Sequence, residues 1–294
     1  MAERRDSRIE RDGVVLAGTI WLPDGPPRGG LVMHPGSGPS NRSNDGYFTP
    51  LGRALIAAGY AVSSYDKRGV GESTGRWEDA PIETQAHDLI AAHAELSAVE
   101  ELAGLPVGVF GHSQGGWVAL DATSREAGID FVILNSGPAV SPAAQERFAA
   151  EQVLLLGGAD EVEVEQSLAR YDLTIRLARA RAPFSEIAPR RAELDPYAPS
   201  DEWGWHFWTS ILDFQPRKAL ANIHVPILTL WGEDDRLVPV EDSIAVLRSM
   251  VPPTRLDVHV FPGADHRLQV GDPPQLAPGY VETVLTFLES HSQS

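Results

Sequence analysis

The 294-residue chain contains no cysteine, which excludes disulfides, thiolate metal sites and a cysteine nucleophile. That absence fits a cytoplasmic setting. No segment approaches the roughly 20 consecutive apolar residues that a membrane helix requires. The amino-terminal residues Met1 to Arg8 carry charge with no apolar stretch behind them, so they do not read as a secretory signal. A broad basic patch is missing as well, and the formal charge is −17. Neither nucleic acid nor an anionic membrane is therefore an expected partner. His34, His87, His93, His206, His224, His259 and His291 are scattered without metal-ligand spacing, so no metal site is expected. Internal repeats and low-complexity segments are also lacking. What remains is a chain long enough for one large α/β domain with a sizeable insertion, or for two modest domains.

The first third alternates strand-like and helix-like segments, a pattern that implies a mainly parallel sheet covered by helices. Val14 to Leu22 reads as an antiparallel opening strand, followed by short core strands at Leu31 to Met33 and Tyr60 to Tyr65. Helices are expected over Tyr47 to Gly59 and Glu83 to Leu102. A further buried strand is expected at Ile129 to Leu134, and more strands at Val225 to Trp231 and Leu256 to Phe261, with a final helix from Pro278 to Ser290. Between them the pattern changes. Residues 137–222 are charged and helix-prone, with a helix over Ala159 to Arg181 and breaks at Pro183, Pro189, Pro196 and Pro199. The spacing implies a core of residues 1–136 and 223–294 interrupted by a helical cap over 137–222.

Gly111-His112-Ser113-Gln114-Gly115 stands between the apolar run Leu105 to Phe110 and a helix-forming segment that begins at Trp117. A serine on such a strand-to-helix turn, flanked by glycines at two residues on either side, is a nucleophile elbow. A serine hydroxyl is a poor nucleophile at neutral pH and requires a base, which in turn requires a group to fix its tautomer. In this chain order the acid and then the histidine follow the serine. The turn Gly232 to Pro239, after the strand ending at Trp231, offers Asp234 and Asp235. The loop Phe261 to His266, after the next strand, offers His266. Asp265 beside it reads as a loop residue, because an adjacent side chain points the wrong way to hold the ring. His112 reads as a packed or hydrogen-bonded histidine of the elbow.

Taken together, Leu22-Pro23, Gly36-Ser37-Gly38-Pro39, Asp66-Lys67-Arg68-Gly69-Val70-Gly71-Glu72-Ser73, the elbow, the acid turn and the histidine loop resemble the α/β-hydrolase superfamily along nearly the whole chain. Within it, Gly-Ser-Gly-Pro followed by Arg42, and Ile211 to Pro216 leading into Val225 to Leu228, resemble bacterial carboxylesterases of the serine aminopeptidase-like group. The resemblance implies an α/β-hydrolase fold with helices on both faces of a mostly parallel sheet and an inserted helical cap. It places the acid at Asp235 and the base at His266. It also implies an oxyanion hole made from backbone N–H groups of Gln114 and of the Pro35 to Pro39 loop, where Ser37 is its choice over Gly36. Asp66 and Arg68 are read as structural. Trp203, Trp205, Phe207 and Trp208 are expected either to line an apolar substrate pocket or to pack the cap.

The expected activity is hydrolysis of carboxylic esters, short acyl or small-molecule, through an acyl-enzyme intermediate by Ser113, Asp235 and His266, with no cofactor. The same constellation accommodates peptidase, amidase, thioesterase, lactonase and carbon-carbon bond hydrolase chemistry. A non-catalytic small-ligand binding protein on the same fold is the rival from another class. Oligomeric state is left open.

Overall fold

The computed structural model describes residues 3–126, 128–195 and 198–291; Met1, Ala2 and the helix breaker Pro196 fall outside them. The chain opens with a strand, β1 (Glu3–Arg11), that carries mostly charged side chains. It returns at once as β2 (Val14–Leu22), with Arg11 opposite Val14 and Glu3 opposite Leu22. Asp12 and Gly13 form the two-residue connection, both at positive φ (50° and 75°). That is the geometry an Asp-Gly hairpin turn supplies.

Next come β3 (Gly30–His34), α1 (Phe48–Ala57), β4 (Ala61–Tyr65), α2 (Ile82–Ser97), β5 (Val107–His112), α3 (Gln114–Arg125) and β6 (Val132–Asn135). The helix expected to run to Leu102 stops at Ser97, and a separate short turn covers Glu100–Leu102. Four helices follow: α4 (Pro142–Leu156), α5 (Glu161–Arg179), the short α6 (Phe184–Ile187) and α7 (Glu202–Ile211). The chain re-enters the sheet through α8 (Pro216–Leu220) and β7 (Ile227–Gly232), then α9 (Val240–Met250), β8 (Leu256–Phe261) and α10 (Tyr280–His291).

The eight strands lie in the order β1-β2-β4-β3-β5-β6-β7-β8. β1 and β2 are antiparallel to their neighbours and the rest run parallel. Successive residues of the central strands face opposite sides, as the pleat requires. Leu31, Met33, Phe110 and Ile133 pack against Leu51 and Leu55 of α1 and Val284 and Phe287 of α10. Val32, Val109, Val132 and Leu134 pack on the other face against Leu89 of α2, Val118 of α3, Leu220 of α8 and Leu247 of α9. Helices thus cover both faces of the sheet.

Helices α4 to α7 share a smaller core of their own, formed by Ala143, Tyr171, Ile175, Ala178, Ile187, Leu194, Trp205 and Leu212. Local chemistry starts these helices: Ser141 caps α4, Asp160 and Glu163 form a capping box on α5, and Asp201 caps α7. Among the contacts that join these helices to the rest of the chain, two stand out. Phe207 of α7 stacks edge-on against Trp77, with centroids 5.0 Å apart, and Gln145 of α4 donates to the Leu237 carbonyl at 2.6 Å.

Candidate active site

The site forms where the strand order reverses. β3 has β4 on one side and β5 on the other, so the loops after β3 and β5 leave the sheet side by side, as expected at a topological switch point. Ser113 follows β5 with φ 54° and ψ −124°, a conformation that costs a non-glycine residue energy and survives only where its surroundings enforce it. The surroundings here are glycines. A Cβ on Gly111 would stand 2.0 Å from the Gly115 carbonyl oxygen, and one on Gly115 would stand 2.6 Å from the Pro35 oxygen. Gly36 approaches Ser113 itself, with space for a Cβ only 3.2 Å from the serine Cβ. The loop carrying Ser37 and the helix start carrying Gln114 therefore flank the serine.

Gln114 opens α3, where its N–H has no carbonyl of the helix to bond. Neither the Gln114 amide nor the Ser37 amide has an acceptor among the described residues. The α3 dipole adds a partial positive charge at the same point.

Asp235 and His266 arrive from adjacent strands. β7 and β8 end level, with Gly232 opposite Phe261. Gly232 is required there, because a Cβ would lie 2.2 Å from the Ala264 oxygen and 2.3 Å from that of Asp265. This close passage brings the histidine loop onto the acid turn. The Asp235 carboxylate is wholly buried; one oxygen accepts from the Leu237 and Val238 amides at 2.8 and 3.0 Å, and the other faces His266 Nδ1 at 2.8 Å. Asp234 points outward, more than half exposed, toward Arg236. Asp265 closes its own loop by accepting from the Arg267 and Gln269 amides at 2.8 and 2.9 Å.

The His266 ring lies 5.2 Å from that of His112, the residue before the serine. Among the described residues no hydrogen bond joins Ser113 Oγ to His266, whose Nδ1 is held by Asp235. His112 is buried, and desolvation together with nearby His266 pushes it well below the ordinary histidine range, so it stays neutral. Behind it stands a polar network that the sequence reading passed over. Asn135 contacts His112 Nδ1 and donates to the Tyr47 hydroxyl at 2.9 Å, Tyr280 donates to Asn135 Oδ1 at 2.7 Å, and Tyr47 donates to the Arg267 carbonyl at 2.7 Å. Through Arg267 this network reaches the residue after His266.

The Asp66 to Ser73 loop is built from ion pairs. Asp66 accepts from the Arg42 backbone and guanidinium, and Arg68 pairs with Asp88 through two bonds of 2.7 Å. Burial works against the Asp66 charge, yet Arg42 outweighs it and holds the carboxyl below its usual range. Between these pairs sits Lys67, which the sequence reading also passed over. It is buried, and it donates to the Gly36 and Gly38 carbonyls and to Gln114 Oε1.

The four cap aromatics part company. Trp205 is buried, donates to the Ala182 carbonyl and stacks near Trp208 within the cap core. Phe207 fills the seam against Trp77, whereas Trp203 is 48% exposed beneath the guanidinium of Arg76. Among the described residues no group of acidic and histidine side chains is arranged to hold a metal ion, and no helix is long and apolar enough to cross a membrane.

The chain matches the family model of serine aminopeptidase S33 over residues 26–273. It is 26% identical over 289 residues to a monoacylglycerol lipase of Mycolicibacterium smegmatis, covering 95% of this chain and 94% of that one. It is also 26% identical over 249 residues to a 2-hydroxy-6-oxononadienedioate/2-hydroxy-6-oxononatrienedioate hydrolase of Dechloromonas aromatica, covering 81% of each. In structure it is similar to an esterase of Pyrococcus furiosus, with a TM-score of 0.67 at 19% identity over 98% of this chain and 91% of that one. With the fold, the strained elbow and a family match spanning most of its length, the chain belongs to the serine aminopeptidase S33 family and is a hydrolase of the α/β-hydrolase fold.

Proposed function

We propose that the protein hydrolyses carboxylic esters of small molecules through an acyl-enzyme intermediate. The observation that carries this reading is the hydrogen bond of 2.8 Å between His266 Nδ1 and a buried Asp235, whose second oxygen two amides already hold. A carboxylate so fixed assigns the Nδ1 proton to the histidine and leaves Nε2 basic toward the serine. Ser113 Oγ attacks the acyl carbon and its proton passes to His266 Nε2. The carbonyl oxygen becomes an oxyanion facing the amides of Ser37 and Gln114. Collapse breaks the bond to the alkoxy group, which takes the proton from His266 and leaves as alcohol. Water then repeats the sequence on the acyl-enzyme and releases the acid.

Support comes from the unpaired amides, from the strain at Ser113 and from relatives whose names include an ester-cleaving lipase. A panel of activated acyl esters, amides and thioesters of graded chain length tests the reading, run on the wild type and on Ser113→Ala. Esters should be cleaved best. The variant should lose about six orders of magnitude in kcat, as other serine hydrolases do without the nucleophile. Retained esterase activity in Ser113→Ala would remove the serine from its role. Cleavage confined to amino-acid amides would move the activity to the aminopeptidase side.

A further inference from the structure

Lys67 follows Asp66 at the end of β4, where its side chain turns under the loop after β3. Its ammonium donates to the carbonyl oxygen of Gly36, to that of Gly38 at 3.3 Å and to Gln114 Oε1 at 3.5 Å. These acceptors lie on either side of Ser37 and on the side chain whose backbone supplies the second amide. The nearby carboxylates are committed elsewhere, Asp66 to Arg42 and Asp88 to Arg68. Among the described residues no carboxylate forms an ion pair with Lys67.

An ammonium has three N–H donors and no acceptor, and here it meets three acceptors. A neutral amine would turn a lone pair toward one of those oxygens. The bond to Gly36 matters most, because the Gly36 carbonyl and the Ser37 N–H belong to one peptide unit. In a planar trans peptide these two groups point in opposite directions. Holding the carbonyl on the Lys67 side therefore turns the Ser37 N–H away from it. A charge bonded to the carbonyl oxygen also polarises the unit and strengthens its N–H as a donor.

The geometry points to Lys67 as the positioning residue of the oxyanion hole, a role that rests on the serine hydrolase reading above: its ammonium orients the Gly36–Ser37 peptide and ties it to Gln114. The groups around it are consistent with a lone positive charge at this place. His34 of β3 bonds the Tyr65 hydroxyl at 2.9 Å and Gln85 at 3.3 Å; burial and the Lys67 charge both hold it neutral. Tyr65 of β4 is neutral, its ionisation pushed up by burial, and the Arg68–Asp88 pair compensates itself. Desolvation pulls Lys67 down to about 7. The proton that completes its three bonds is therefore lost above about pH 7.

The test compares wild type, Lys67→Met and Ser113→Ala with an activated ester. Lys67→Met should lower kcat by roughly 10- to 100-fold with KM within about two-fold, less than the 10²- to 10³-fold cost of deleting an oxyanion donor outright. Its affinity for a boronic acid or trifluoromethyl ketone that mimics the tetrahedral adduct should fall by a similar factor. Unchanged kcat, or a loss confined to KM, in a folded variant would overturn the role. Should Lys67→Met fail to fold, Lys67→Gln decides: kcat and the affinity for the same tetrahedral mimics should fall with KM little changed, and unchanged values would overturn the role. Activity surviving in Ser113→Ala would fell the hydrolase reading itself, whereas an inactive Ser113→Ala beside a fully active Lys67→Met would fell only the role of Lys67.

Discussion

Asp234 and Asp235 are neighbours of the same type, and only burial tells them apart. The Asp235 carboxylate is fully enclosed and receives two amides and the histidine, whereas Asp234 faces solvent and Arg236. Charge-assisted bonds of this kind fix both the tautomer and the direction of the imidazole ring. Replacing Asp235 by Asn keeps the shape but offers Nδ1 the wrong partner, so kcat should fall by about 10⁴ with the fold retained. Steady-state kinetics beside a thermal melt would check this. A loss of ten-fold or less would mean that the aspartate does not hold the base. The placement of Ser113, Asp235 and His266 after β5, β7 and β8 was legible in the chain because each follows a recognisable strand. Lys67 was not, since its three acceptors come from the loop after β3 and the start of α3. No local pattern brings Gly36, Gly38 and Gln114 to one side chain. Much the same holds for the Tyr47, Asn135 and Tyr280 network, whose bonded pairs stand 88 and 145 positions apart.

At the scale of elements, the core strands could be read from their apolar runs because both of their faces are buried. β1 escaped for the opposite reason. Its sequence, ERRDSRIER, has almost nothing to bury, and it is held by its ladder to β2 and by the Asp12-Gly13 turn. That dipeptide was the available signal. The helices α4 to α7 were legible in the charged, helix-prone sequence, but the fates of their aromatics depend on which neighbour each one meets. Phe207 is 7% exposed and closes the seam with Trp77, while Trp203 is largely open. Phe207→Ala should therefore cost about 3 kcal/mol by loss of buried area and the cavity left behind. Trp203→Ala, which gives up an exposed contact with Arg76, should cost about 1 kcal/mol or less. Urea unfolding of both variants measures the difference, and equal costs would contradict the seam.

On the scale of the whole molecule, a formal charge of −17 spreads repulsion over a surface whose ion pairs are mostly exposed. Moderate salt screens that repulsion at distances beyond roughly 10 Å. Raising sodium chloride from about 10 mM to about 200 mM should accordingly raise the melting temperature by a few degrees. A fall would show that local pairs outweigh the net charge. The same molecule gathers its chemistry at one edge: the reversal of strand order sets Ser37 and Gln114 beside Ser113, and the level ends of β7 and β8 set His266 on Asp235. In the proposed function this edge activates one serine, Ser113. Treating the intact protein with a fluorophosphonate and mapping the adduct by peptide mass spectrometry tests that activation most directly. The expected result is a single adduct on Ser113, absent in Ser113→Ala and formed far more slowly in His266→Ala. An unlabelled wild type, or label on another residue, would contradict the account.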